Sequence, residues 1–359
     1  MRVAVIHDWL TGMRGGELVL DGILDVVPDA EIFTLFHFPG SVSPRIESFP
    51  IHTSSLQRFA GRVSDYRRLL PLFPRAVRAW DLSRFDAIVS SSHAVAKGVD
   101  ARGKPHLCYC HTPMRYIWDR FDDYFPRGAS RAVMKLLAPR LRRWDVKTSA
   151  EVTRFVANSN FVRERIQRFY GRDAGVVHPF VDGDFLDVPV QHDRADEHVI
   201  VSALVPYKRV ELAIETFERS GKRLVVIGKG PLYDTLAARR SPNVELLGFV
   251  SKATIVERLA RARSLILPGV EDFGITPLEA MALGTPVVAF GEGGVLDSVM
   301  DGTTGILFRE ATVEALARAV AEAESRDWDR AAIRAHAATF SRARFDEQFR
   351  GELRVTEGR

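Results

Sequence analysis

The chain of 359 residues is poor in cysteine and has no long apolar run. Cys108 and Cys110 stand two positions apart in HLCYCH, and two thiols are too few for a disulfide framework or a structural zinc site. We expect both to pack as small apolar side chains on one face of a buried strand, in a protein of the reducing cytoplasm. No stretch approaches the roughly 18 apolar residues of a membrane-spanning helix.

The first residues do not have the pattern of a secretory leader, and no internal repeat or low-complexity segment is visible. The apolar run in MRVAVIHDWL is short, and His7 and Asp8 interrupt it, so we interpret it as a first buried strand. The composition, with 46% hydrophobic and 27% charged residues, is that of a globular chain long enough for two domains.

Acidic residues are scarce in two arginine-rich segments, 56–80 and 127–147, each of which contains a single aspartate. Their basic side chains alternate with Leu, Phe or Trp, a mixture typical of a surface that docks on anionic lipid; an ordinary solvated helix face is the alternative. No nucleic-acid-reading motif accompanies the charge, so we expect no nucleic-acid partner. The candidate acceptor or membrane surface residues are Arg62, Arg67, Arg68, Arg140, Arg142 and Arg143.

Short apolar runs alternate with longer amphipathic ones in two successive series. The Val- and Ile-rich runs predict parallel strands at 3–6, 31–36, 86–91, 106–110 and 154–158, then at 198–204, 223–228, 244–248, 264–268 and 286–290. Helical spacing of apolar residues predicts helices at 16–27, 208–220, 252–262 and 313–324. The alternation predicts two Rossmann-like, doubly wound α/β domains with a boundary in the polar segment 178–198. Ligands should bind beyond the carboxyl ends of the strands, in the cleft between the two sheets.

Two segments have the composition of anion-binding loops. In TGMRGGELVL (11–20), Gly15 and Gly16 would let a phosphate approach the backbone at a helix start; a plain tight turn is the alternative. Its G-x-x-G-G spacing differs from the dinucleotide-binding fingerprint. In VPYKRVELAIETF (205–217), Lys208 and Arg209 stand at a helix start, where cations oppose the helix dipole. A bound anion would explain that conflict; a solvated pair is the alternative.

A histidine and an aspartate pair are further candidates. His111 follows a predicted strand in CYCHTPMRYIWD, on the side where ligands bind, and Arg115 stands one turn later. A structural histidine, bonded within a loop, is the alternative. The DGD sequence at 182–184 has the letters of a metal-binding pair, but it lies in the predicted interdomain segment and such a pair is common by chance, so we reject it as a metal site.

The segment EDFGITPLEAMALG (271–284) contains two glutamates with different explanations. Thr276, Pro277 and Glu279 predict a capping box, with N-cap, N1 and N3 positions respectively, and Gly284 predicts the end of the helix. Glu279 is therefore explained as a capping residue. Glu271 precedes the loop, has no helix to cap and stands beside Asp272, so we interpret it as the functional carboxylate.

These segments together resemble the retaining, nucleotide-sugar-dependent glycosyltransferases of family four, which have the GT-B fold, and among them the bacterial polysaccharide mannosyltransferases. The most specific part is EDFGITPLE, followed by AMALGTPVVAF and GGVLDSVMDGTTGILF (293–308), which matches the family's E-x7-E signature. GGE at 15–17, HTPMRY, ANSNFV, HPFVD and VPYKR support it, so the resemblance covers nearly the whole chain. It implies an acceptor-side domain of residues 1–178 to which a terminal helix within 341–359 returns, and a nucleotide-sugar-binding domain of residues 179–340.

The resemblance also implies a role for each matching residue. Gly15 and Gly16 would approach the donor pyrophosphate, Lys208 would neutralise the departing phosphate, and His111 would approach the sugar from the N-terminal domain. Glu271 would hold the sugar hydroxyls and Glu279 the ribose hydroxyls. The remaining donor-binding residues would be Arg209, Gly228, Gly230, Val250, Ser251, Phe273, Gly274, Ile275 and Thr276.

The chain departs from the family at Ala203, where members often carry an arginine that shares the phosphate charge; Arg209 or an arginine of the N-terminal domain would have to substitute. The resemblance implies a retaining hexosyltransferase that needs no metal or cofactor. We expect it to move mannose from GDP-mannose onto a lipid-linked or membrane-associated glycan, at the inner face of the membrane, in cell-surface polysaccharide synthesis. A UDP-sugar-dependent transferase, a sugar-nucleotide epimerase and a non-catalytic membrane-bound scaffold are the alternatives.

Overall fold

The computed structural model describes residues 1–59, 66–239 and 241–358, which divide into two α/β units. Unit 1 comprises Met1–His178 and Ala343–Arg359, and unit 2 comprises Pro179–Arg342. Each unit contains one fully parallel sheet with helices in the connections between strands. The predicted fold class, two Rossmann-like doubly wound domains, is confirmed. No helix in the described ranges is both long enough and apolar enough to cross a bilayer.

Unit 1 is built on a seven-stranded sheet of order β3-β2-β1-β4-β5-β6-β7. Its strands are β1 (Val3–His7), β2 (Glu31–Thr34), β3 (Ile51–Thr53), β4 (Ala87–Ser92), β5 (His106–Cys110), β6 (Arg154–Ala157) and β7 (Ala174–Val176). Its helices are α1 (Gly15–Val26), α2 (Pro44–Glu47), α3 (Phe73–Val77), α4 (Phe121–Tyr124), α5 (Gly128–Ser149) and α6 (Asn160–Tyr170). The strand order reverses between β1 and β4, where His7 pairs with Ser91.

Unit 2 has a six-stranded sheet of order β10-β9-β8-β11-β12-β13. Its strands are β8 (His198–Val201), β9 (Leu224–Ile227), β10 (Val244–Gly248), β11 (Leu265–Leu267), β12 (Val287–Phe290) and β13 (Gly305–Phe308). Its helices are α7 (Gly183–Leu186), α8 (Val210–Ser220), α9 (Tyr233–Ala237), α10 (Lys252–Arg261), α11 (Ile275–Ala282), α12 (Val295–Ser298), α13 (Val313–Ser325) and α14 (Arg330–Ala338). Here the order reverses between β8 and β11.

The central strands are buried on both faces, as expected of parallel strands covered by helices. Every residue of β1, β4 and β5 is buried, and Cys108 and Cys110 pack in an apolar cluster with β6 and α6, as their spacing predicted. Polar N-caps fix the starts of longer helices: the Ser159 hydroxyl accepts from the Val162 amide, and Thr312 caps α13 in the same way.

The last helix, α15 (Arg342–Glu357), belongs almost entirely to unit 1, which confirms the predicted return of the terminal helix. Phe345 and Phe349 are buried, with ring centroids 5.9 and 6.2 Å from that of Tyr109 in β5. Arg154 at the start of β6 forms an ion pair with Glu352. The apolar residues of this helix therefore complete the core of the first unit.

Candidate functional site

Each unit brings polar side chains together at the switch point of its sheet. In unit 1, His7 ends β1, Ser91 lies in β4 and His111 follows β5, all at the carboxyl edge. In unit 2, Lys208 follows β8 and Glu271 follows β11, the two strands between which the order reverses. Open parallel sheets bind their ligands at this position, so each unit has a candidate site of its own.

The Ser91 hydroxyl bridges two histidines in unit 1. Its Oγ lies 3.0 Å from Nδ1 of His7 and 2.8 Å from Nε2 of His111. The His111 backbone is fixed as well: its N–H donates to the Ser92 carbonyl (2.9 Å), and the Asn158 side chain donates to its carbonyl (3.0 Å). The imidazole of His111, a predicted site residue, is therefore held both by its side chain and by its backbone.

A buried carboxylate, Glu17, stands behind the histidine pair. Its Oε2 accepts a hydrogen bond from the Arg14 amide (3.0 Å), which caps α1, and its Oε1 lies 3.7 Å from Nε2 of His7. Burial acts to raise the pKa of Glu17, but the side-chain hydrogen bond and the charge of His7 outweigh it and leave the pKa below its ordinary value. Glu17 is therefore an ionised group inside the protein, next to His7.

Asp8 organises the loop that follows β4. Its two carboxylate oxygens accept hydrogen bonds from the four backbone amides of residues 93–96, at 2.6 to 2.9 Å. Nδ1 of His93 lies 3.3 Å from Oδ2 of Asp8, and the Trp9 ring meets the His93 ring edge-on at 4.4 Å. Burial and the charge of His7 lower the pKa of His93 to about 3, so His93 is neutral near pH 7.

The sequence analysis did not select His7, Asp8, Glu17, Ser91 or His93 as site residues. Their signal was present in the sequence, because each polar residue comes at the end of a buried strand or, for Glu17, in the first turn of the following helix. Polar side chains at the carboxyl ends of strands next to a switch point are candidates for ligand binding.

Gly15 and Gly16 are the first residues of α1, as the sequence predicted for a helix-start loop. Neither has a positive φ. Among the described residues, a Cβ added at Gly16 would meet only Cε1 of His7, at an ordinary contact distance of 3.9 Å. The described packing of unit 1 therefore does not require glycine at position 16, and the bare backbone leaves room beside the amides of the helix start.

Lys208 and Glu271 form an ion pair in unit 2, with their side chains 13% and 19% exposed. The backbone of Glu271 is fixed by a bridge to Gly293 and by the Gly294 amide, which donates to its carbonyl (2.9 Å). Gly269 is required here, because a Cβ would lie 2.6 Å from the Lys208 Cα. Glu271 therefore has a structural partner that the sequence did not predict, because it is the counter-ion of Lys208.

The Arg209 side chain has a hydrogen-bond donor that no atom in the described part of the chain accepts from. It occupies the N-cap position of α8 with φ of 52°, a conformation that is uncommon for a residue other than glycine. Its guanidinium lies 4.8 Å from the centroid of the Phe290 ring. Its Nη1 atom is buried and has no hydrogen-bond partner within the described part of the chain. Ala203, by contrast, is exposed and contributes no charge.

The predicted capping box at the start of α11 is wrong. The helix begins at Ile275, and Gly274 (φ of 87°) is its N-cap, so Thr276 and Pro277 occupy N2 and N3 and Glu279 lies in the second turn. The left-handed Gly274 lets the chain enter the helix two residues early, and proline is tolerated in the first turn because those amides have no partner inside the helix.

The other end of α11 agrees with the prediction that Gly284 terminates it. Gly284 adopts φ of 72°, its amide donates to the Met281 carbonyl (2.9 Å), and the Thr285 amide donates to the Ala280 carbonyl (2.9 Å). This pattern is a Schellman motif.

Glu279 is thus the carboxyl without a capping role. Burial raises its pKa to about 7, repulsion from Asp182 adds to the increase, and the charge of Lys252 opposes it. Lys252 is itself held by the two aspartates of the DGD segment, Asp182 and Asp184, and Asp182 also caps α7. The DGD segment therefore has a structural role in unit 2, and Glu279 is costly to ionise.

Gly228 and Gly230 bring the loops after β8, β9 and β10 into close contact. A Cβ on Gly228, whose φ is 139°, would lie 1.9 Å from the Ser202 carbonyl oxygen, and one on Gly230 would lie 2.4 Å from that of Leu204. The Gly228 amide donates to the Gly248 carbonyl (2.8 Å). Both glycines are needed for this packing, which places bare backbone at the carboxyl edge of the sheet.

The other predicted donor contacts have ordinary structural surroundings. The Ser251 hydroxyl caps α10 by accepting from the Thr254 amide (3.1 Å), and Val250 packs against the core of unit 2. The side chain of Phe273 is 2% exposed, so only its backbone could contact a ligand.

The arginine-rich segments are only partly described. Arg62 lies outside the described residues, and Arg67 and Arg68 belong to a 3-10 helix at Tyr66–Leu72. On α5, Arg140 and Arg143 are exposed, but Arg142 is half-buried and donates to the Ile117 carbonyl. Arg142 is thus tied to its own unit. The exposed face of α5 also carries Val133, Lys135, Leu136, Val146 and Lys147.

Two family models match adjacent parts of the chain. Residues 35–185 match the model described as "Glycosyltransferase Family 4", and residues 190–340 match "Glycosyl transferases group 1". Among curated proteins, the GDP-mannose-dependent alpha-(1-6)-phosphatidylinositol monomannoside mannosyltransferase of Mycolicibacterium smegmatis is 32% identical over 208 residues, 49% of this chain and 54% of that protein. The D-inositol 3-phosphate glycosyltransferase of Mycobacteroides abscessus is 33% identical over 222 residues, 53% of this chain and 49% of that protein. The chain thus spans about half the length of the curated relatives it matches.

Solved structures of low sequence identity share the whole fold. The structure of the Anabaena protein HepE in complex with UDP and glucose aligns with this chain at a TM-score of 0.70 and 16% identity. The alignment covers 98% of this chain and 98% of that one. The apo structure of the lipopolysaccharide outer core galactosyltransferase WaaB aligns at a TM-score of 0.68 and 17% identity, over 99% of this chain and 99% of that one. Both similarities extend over the two units and the terminal helix.

Proposed function

Because this chain belongs to the family-four glycosyltransferases of the GT-B fold, we propose that it moves mannose from GDP-mannose onto a lipid-linked or membrane-associated glycan, in cell-surface polysaccharide synthesis. The observation that carries the proposal is the Lys208–Glu271 pair at the switch point of unit 2. The pair stands at the start of α11, since a Cβ on Gly274 would be 3.4 Å from the Glu271 side chain. A cation, a carboxylate and helix-start amides suit a sugar diphosphate.

The positive groups of unit 2 would stabilise the leaving diphosphate. Glycosyl transfer builds oxocarbenium character on the sugar and negative charge on the diphosphate, so fixed donors near that diphosphate lower the barrier. Lys208 and the amides at the start of α11, which no side chain caps in the described ranges, are such donors. Arg209, whose Nη1 has no partner among the residues described, would replace the arginine absent at position 203. We propose that these groups serve in place of a metal ion.

Donor binding would exchange the partners of the ion pair. The diphosphate competes with Glu271 for Lys208, and Glu271 then becomes available to accept hydrogen bonds from the sugar hydroxyls. This exchange keeps both charges compensated before and after binding, which matters because an uncompensated buried charge is costly. We propose front-side, retaining transfer without a protein nucleophile, in which Glu271 holds the sugar rather than attacking it.

The rest of the donor would lie along the carboxyl edge of unit 2. Glu279, whose pKa is raised to about 7, would bind the ribose hydroxyls, which can donate to it when it is ionised and accept from it when it is protonated. The bare backbone at Gly228 and Gly230, with Val250 and Ser251, would contact the base. In unit 1, His111 would contact the sugar, and Gly15 and Gly16 would admit the pyrophosphate.

GDP-mannose is proposed because the Mycolicibacterium relative is named for it, whereas HepE was solved with UDP. A thermal-shift titration with GDP-mannose, UDP-glucose and ADP-glucose tests this choice, because a ligand that binds only the folded state raises the melting temperature. We expect the largest increase with GDP-mannose. A larger increase with UDP-glucose would refute the donor, and no increase with any nucleotide or nucleotide sugar would favour a scaffold.

A product assay tests the reaction itself. Incubation with GDP-mannose and membrane lipid extract should give a mannosylated lipid whose new linkage is α, as in the donor, by NMR of the anomeric proton. A β linkage would refute retention. Conversion of the donor sugar to an epimer in the absence of acceptor would identify an epimerase instead.

The exposed face of α5 would be the side that meets the membrane. It combines basic residues, among them Arg140 and Arg143, with large exposed apolar side chains, of which Leu136 is 69% exposed and Val133 is 54% exposed. Basic residues interleaved with apolar ones bind the interface of anionic lipid. We therefore propose a peripheral association with the inner face of the membrane, where a lipid-linked acceptor would be found.

A further inference from the structure

We propose that the side chains of Lys229 and Phe249 select the base of the nucleotide sugar, and that they favour a base with a carbonyl oxygen on its ring edge, such as guanine, over adenine. The inference deepens the proposed function and rests on it only in placing a nucleotide at the carboxyl edge of unit 2. It adds two side chains to a base contact that Gly228 and Gly230 would make through backbone alone.

The backbone of Lys229 is fixed on both sides. Lys229 stands between Gly228 and Gly230, the two glycines that bring the loops at this edge of the sheet into close contact. The Lys229 carbonyl accepts from the Leu204 amide (3.1 Å), and the preceding Gly228 amide donates to the Gly248 carbonyl (2.8 Å). The point from which the Lys229 side chain leaves the loop is therefore determined by the packing of unit 2.

The side chain of Lys229 runs across the end of β10. A Cβ added at Gly248 would lie 3.2 Å from Cε of Lys229 and 3.3 Å from the Tyr233 hydroxyl. Nζ of Lys229 lies 5.7 Å from the centroid of the Tyr233 ring, within the range of a cation–π attraction. Lys229 is exposed, and its ammonium group forms no ion pair or hydrogen bond with the residues described. Its three N–H donors are thus available to a ligand.

Phe249 directly follows Gly248, the residue that the Lys229 side chain reaches. It is 85% exposed, more than any other large apolar residue in the described ranges. An aromatic ring left in water at the carboxyl edge of a parallel sheet is a candidate surface for a planar ligand. Three residues later stands Lys252, whose charge acts on Glu279, the carboxyl proposed to bind the ribose. Phe249 therefore lies on the loop next to the proposed ribose contact.

The order of the strands brings this loop to a suitable distance from the phosphate-binding residues. Lys208 follows β8, and β9 and β10 are the next two strands towards that edge of the sheet. Neighbouring strands are about 4.8 Å apart, so the end of β10 lies roughly 10 Å from the end of β8. A nucleoside has a length of this order. A diphosphate at Lys208 would therefore have its base beside Lys229 and Phe249.

The two side chains respond to different properties of a base. An aromatic ring stacks on the π-face that every base has, so Phe249 would add affinity with little choice of base. Lysine donates and cannot accept. Guanine presents two acceptors, O6 and N7, along one edge, whereas adenine presents an amino donor at N6 beside its N7. Lys229 would therefore bind guanine and meet a competing donor in adenine; uracil, with the single acceptor O4, is intermediate.

The variant Lys229→Met tests the choice of base. Methionine keeps an apolar stem beside Gly248 but has no N–H to donate. Calorimetric titration with GDP, inosine diphosphate, UDP and ADP measures the preference before and after the change. We expect the native protein to bind GDP about tenfold or more tightly than ADP, and the variant to lose about tenfold for GDP with less than a twofold change for ADP. Inosine diphosphate, which shares O6 and N7 with GDP, should lose the same factor as GDP.

Two further variants separate charge and stacking from the choice of base. Arg318→Met removes a positive charge from an exposed position on α13 and should change each affinity less than about twofold, because a distant exposed charge is screened by salt. Phe249→Ala should weaken the two purines alike, by about fivefold or more, because stacking tolerates any base. Unchanged GDP affinity in Phe249→Ala would overturn the assignment of this ring.

The outcomes separate this inference from the proposed function. An equal loss for GDP and ADP in Lys229→Met, or no loss for either, would overturn the inference whether or not the protein transfers mannose. A native protein that prefers UDP to GDP, and whose preference over ADP disappears in Lys229→Met, would sustain the inference and refute GDP-mannose as the donor. Native protein that binds ADP as tightly as GDP would overturn the inference alone, and protein that binds no nucleoside diphosphate would overturn both.

Discussion

At the scale of single residues, the structure reverses the explanations that the sequence suggested for the two glutamates of the EDFGITPLE segment. The sequence explains Glu279 by capping and leaves Glu271 unexplained, whereas the structure pairs Glu271 with Lys208 and leaves Glu279 half-buried outside the cap. The error arose because a proline after a threonine is a strong helix-start signal. The positive φ of Gly274 overrides that signal, and no local pattern reports it.

Site residues that belong to a short sequence motif were predictable, whereas site residues that only the fold brings together were not. Lys208, Glu271 and His111 were selected from short segments, and the structure places each at the carboxyl edge of a sheet. The partnership of His7 with Ser91 joins residues 84 positions apart, through the register of two parallel strands. Such a pairing follows only from the strand order, which the sequence does not contain locally.

Glu271→Gln should abolish most transfer while the protein stays folded. Glutamine keeps the shape, but it removes the charge that holds Lys208 and the acceptor that would receive sugar hydroxyls. We expect the turnover number to fall about 10²- to 10³-fold, the size found when one transition-state contact is removed. The exposed Glu292 is the control, since Glu292→Gln should change turnover less than twofold. Equal turnover in both variants, measured with saturating GDP-mannose, would show that Glu271 does not face the sugar.

Glu279→Gln should stabilise the free protein at alkaline pH. The folded pKa of about 7 exceeds the ordinary 4.5, so the folded state holds a proton that the unfolded state has lost, and stability falls as the pH rises from 4.5 to 7. Glutamine removes this cost, which is of the order of 1–3 kcal/mol above pH 7. Urea denaturation should show the variant more stable at pH 8 and the difference shrinking towards pH 5.

The same variant tests the proposed ribose contact in the opposite direction. If Glu279 binds the ribose, Glu279→Gln should weaken GDP binding about tenfold at pH 8 in spite of the higher stability, a trade-off seen at many functional sites. Calorimetric titration with GDP measures it. Unchanged affinity together with the gain in stability would leave Glu279 as a half-buried carboxyl without a ligand.

At the scale of secondary-structure elements, the buried central strands were predictable, whereas three of the four edge strands of the two sheets were not. The ten predicted strands all occur, with bounds within about three residues, because runs of Val and Ile in parallel sheets are plain in the sequence. The short strands β3, β7 and β13 were not predicted. β3 and β7, at the edges of the first sheet, have three residues each, and partly exposed short segments have no periodicity to detect.

The predicted helices also lie within two residues of their observed bounds, but α5 was recognised only as an arginine-rich segment. Its 22 residues include Pro139, and its buried Asp145 accepts from Trp118 and Tyr170 and pairs with Lys97 at 2.9 Å. These polar contacts continue an apolar stripe of α5 that packs in the core of unit 1. The many basic residues of the segment drew attention away from that stripe in the sequence.

Glu324→Gln should weaken the attachment of α13 to the sheet of unit 2 in a pH-dependent way. Glu324 binds His198 of β8 (3.0 Å) and Lys222, and these contacts, opposed by burial, lower its pKa to about 2. The stabilisation is complete above the ordinary pKa of 4.5 and is lost as the pH falls towards 2. We expect a loss of about 1–2 kcal/mol at pH 7, after allowance for solvent screening.

Urea denaturation at pH 7 and pH 3 measures this loss, which should be much smaller at pH 3. The exposed ion pair of Arg219 with Glu314, on α8 and α13, provides the control, since Glu314→Gln should cost less than about 1 kcal/mol at either pH. An equal loss at both pH values would mean that Glu324 acts by packing and not by charge.

At the scale of the whole molecule, the exposed face of α5 should determine binding to anionic membranes. The double reversal Arg140→Glu and Arg143→Glu places negative charge on this face, so binding to vesicles of phosphatidylglycerol and phosphatidylcholine should fall about tenfold or more in a flotation assay. Binding of the native protein should also weaken with salt. The same reversal at exposed Arg318 and Arg344, in unit 2 and α15, is the control. Equal vesicle binding by both double variants would mean that α5 is only solvated.

Because unit 1 is assembled from two distant parts of the chain, a change in the last helix should destabilise the first sheet. Phe349 of α15 is fully buried against Tyr109 of β5, so Phe349→Ala should cost about 3–5 kcal/mol. Hydrogen exchange should then accelerate in β5 and β6, while β8, β11 and β12 keep their protection, because stability is local to cooperative units. Val355 of the same helix is 45% exposed, and Val355→Ala should cost less than about 0.5 kcal/mol. Faster exchange in unit 2 to the same degree would show that the two units unfold as one.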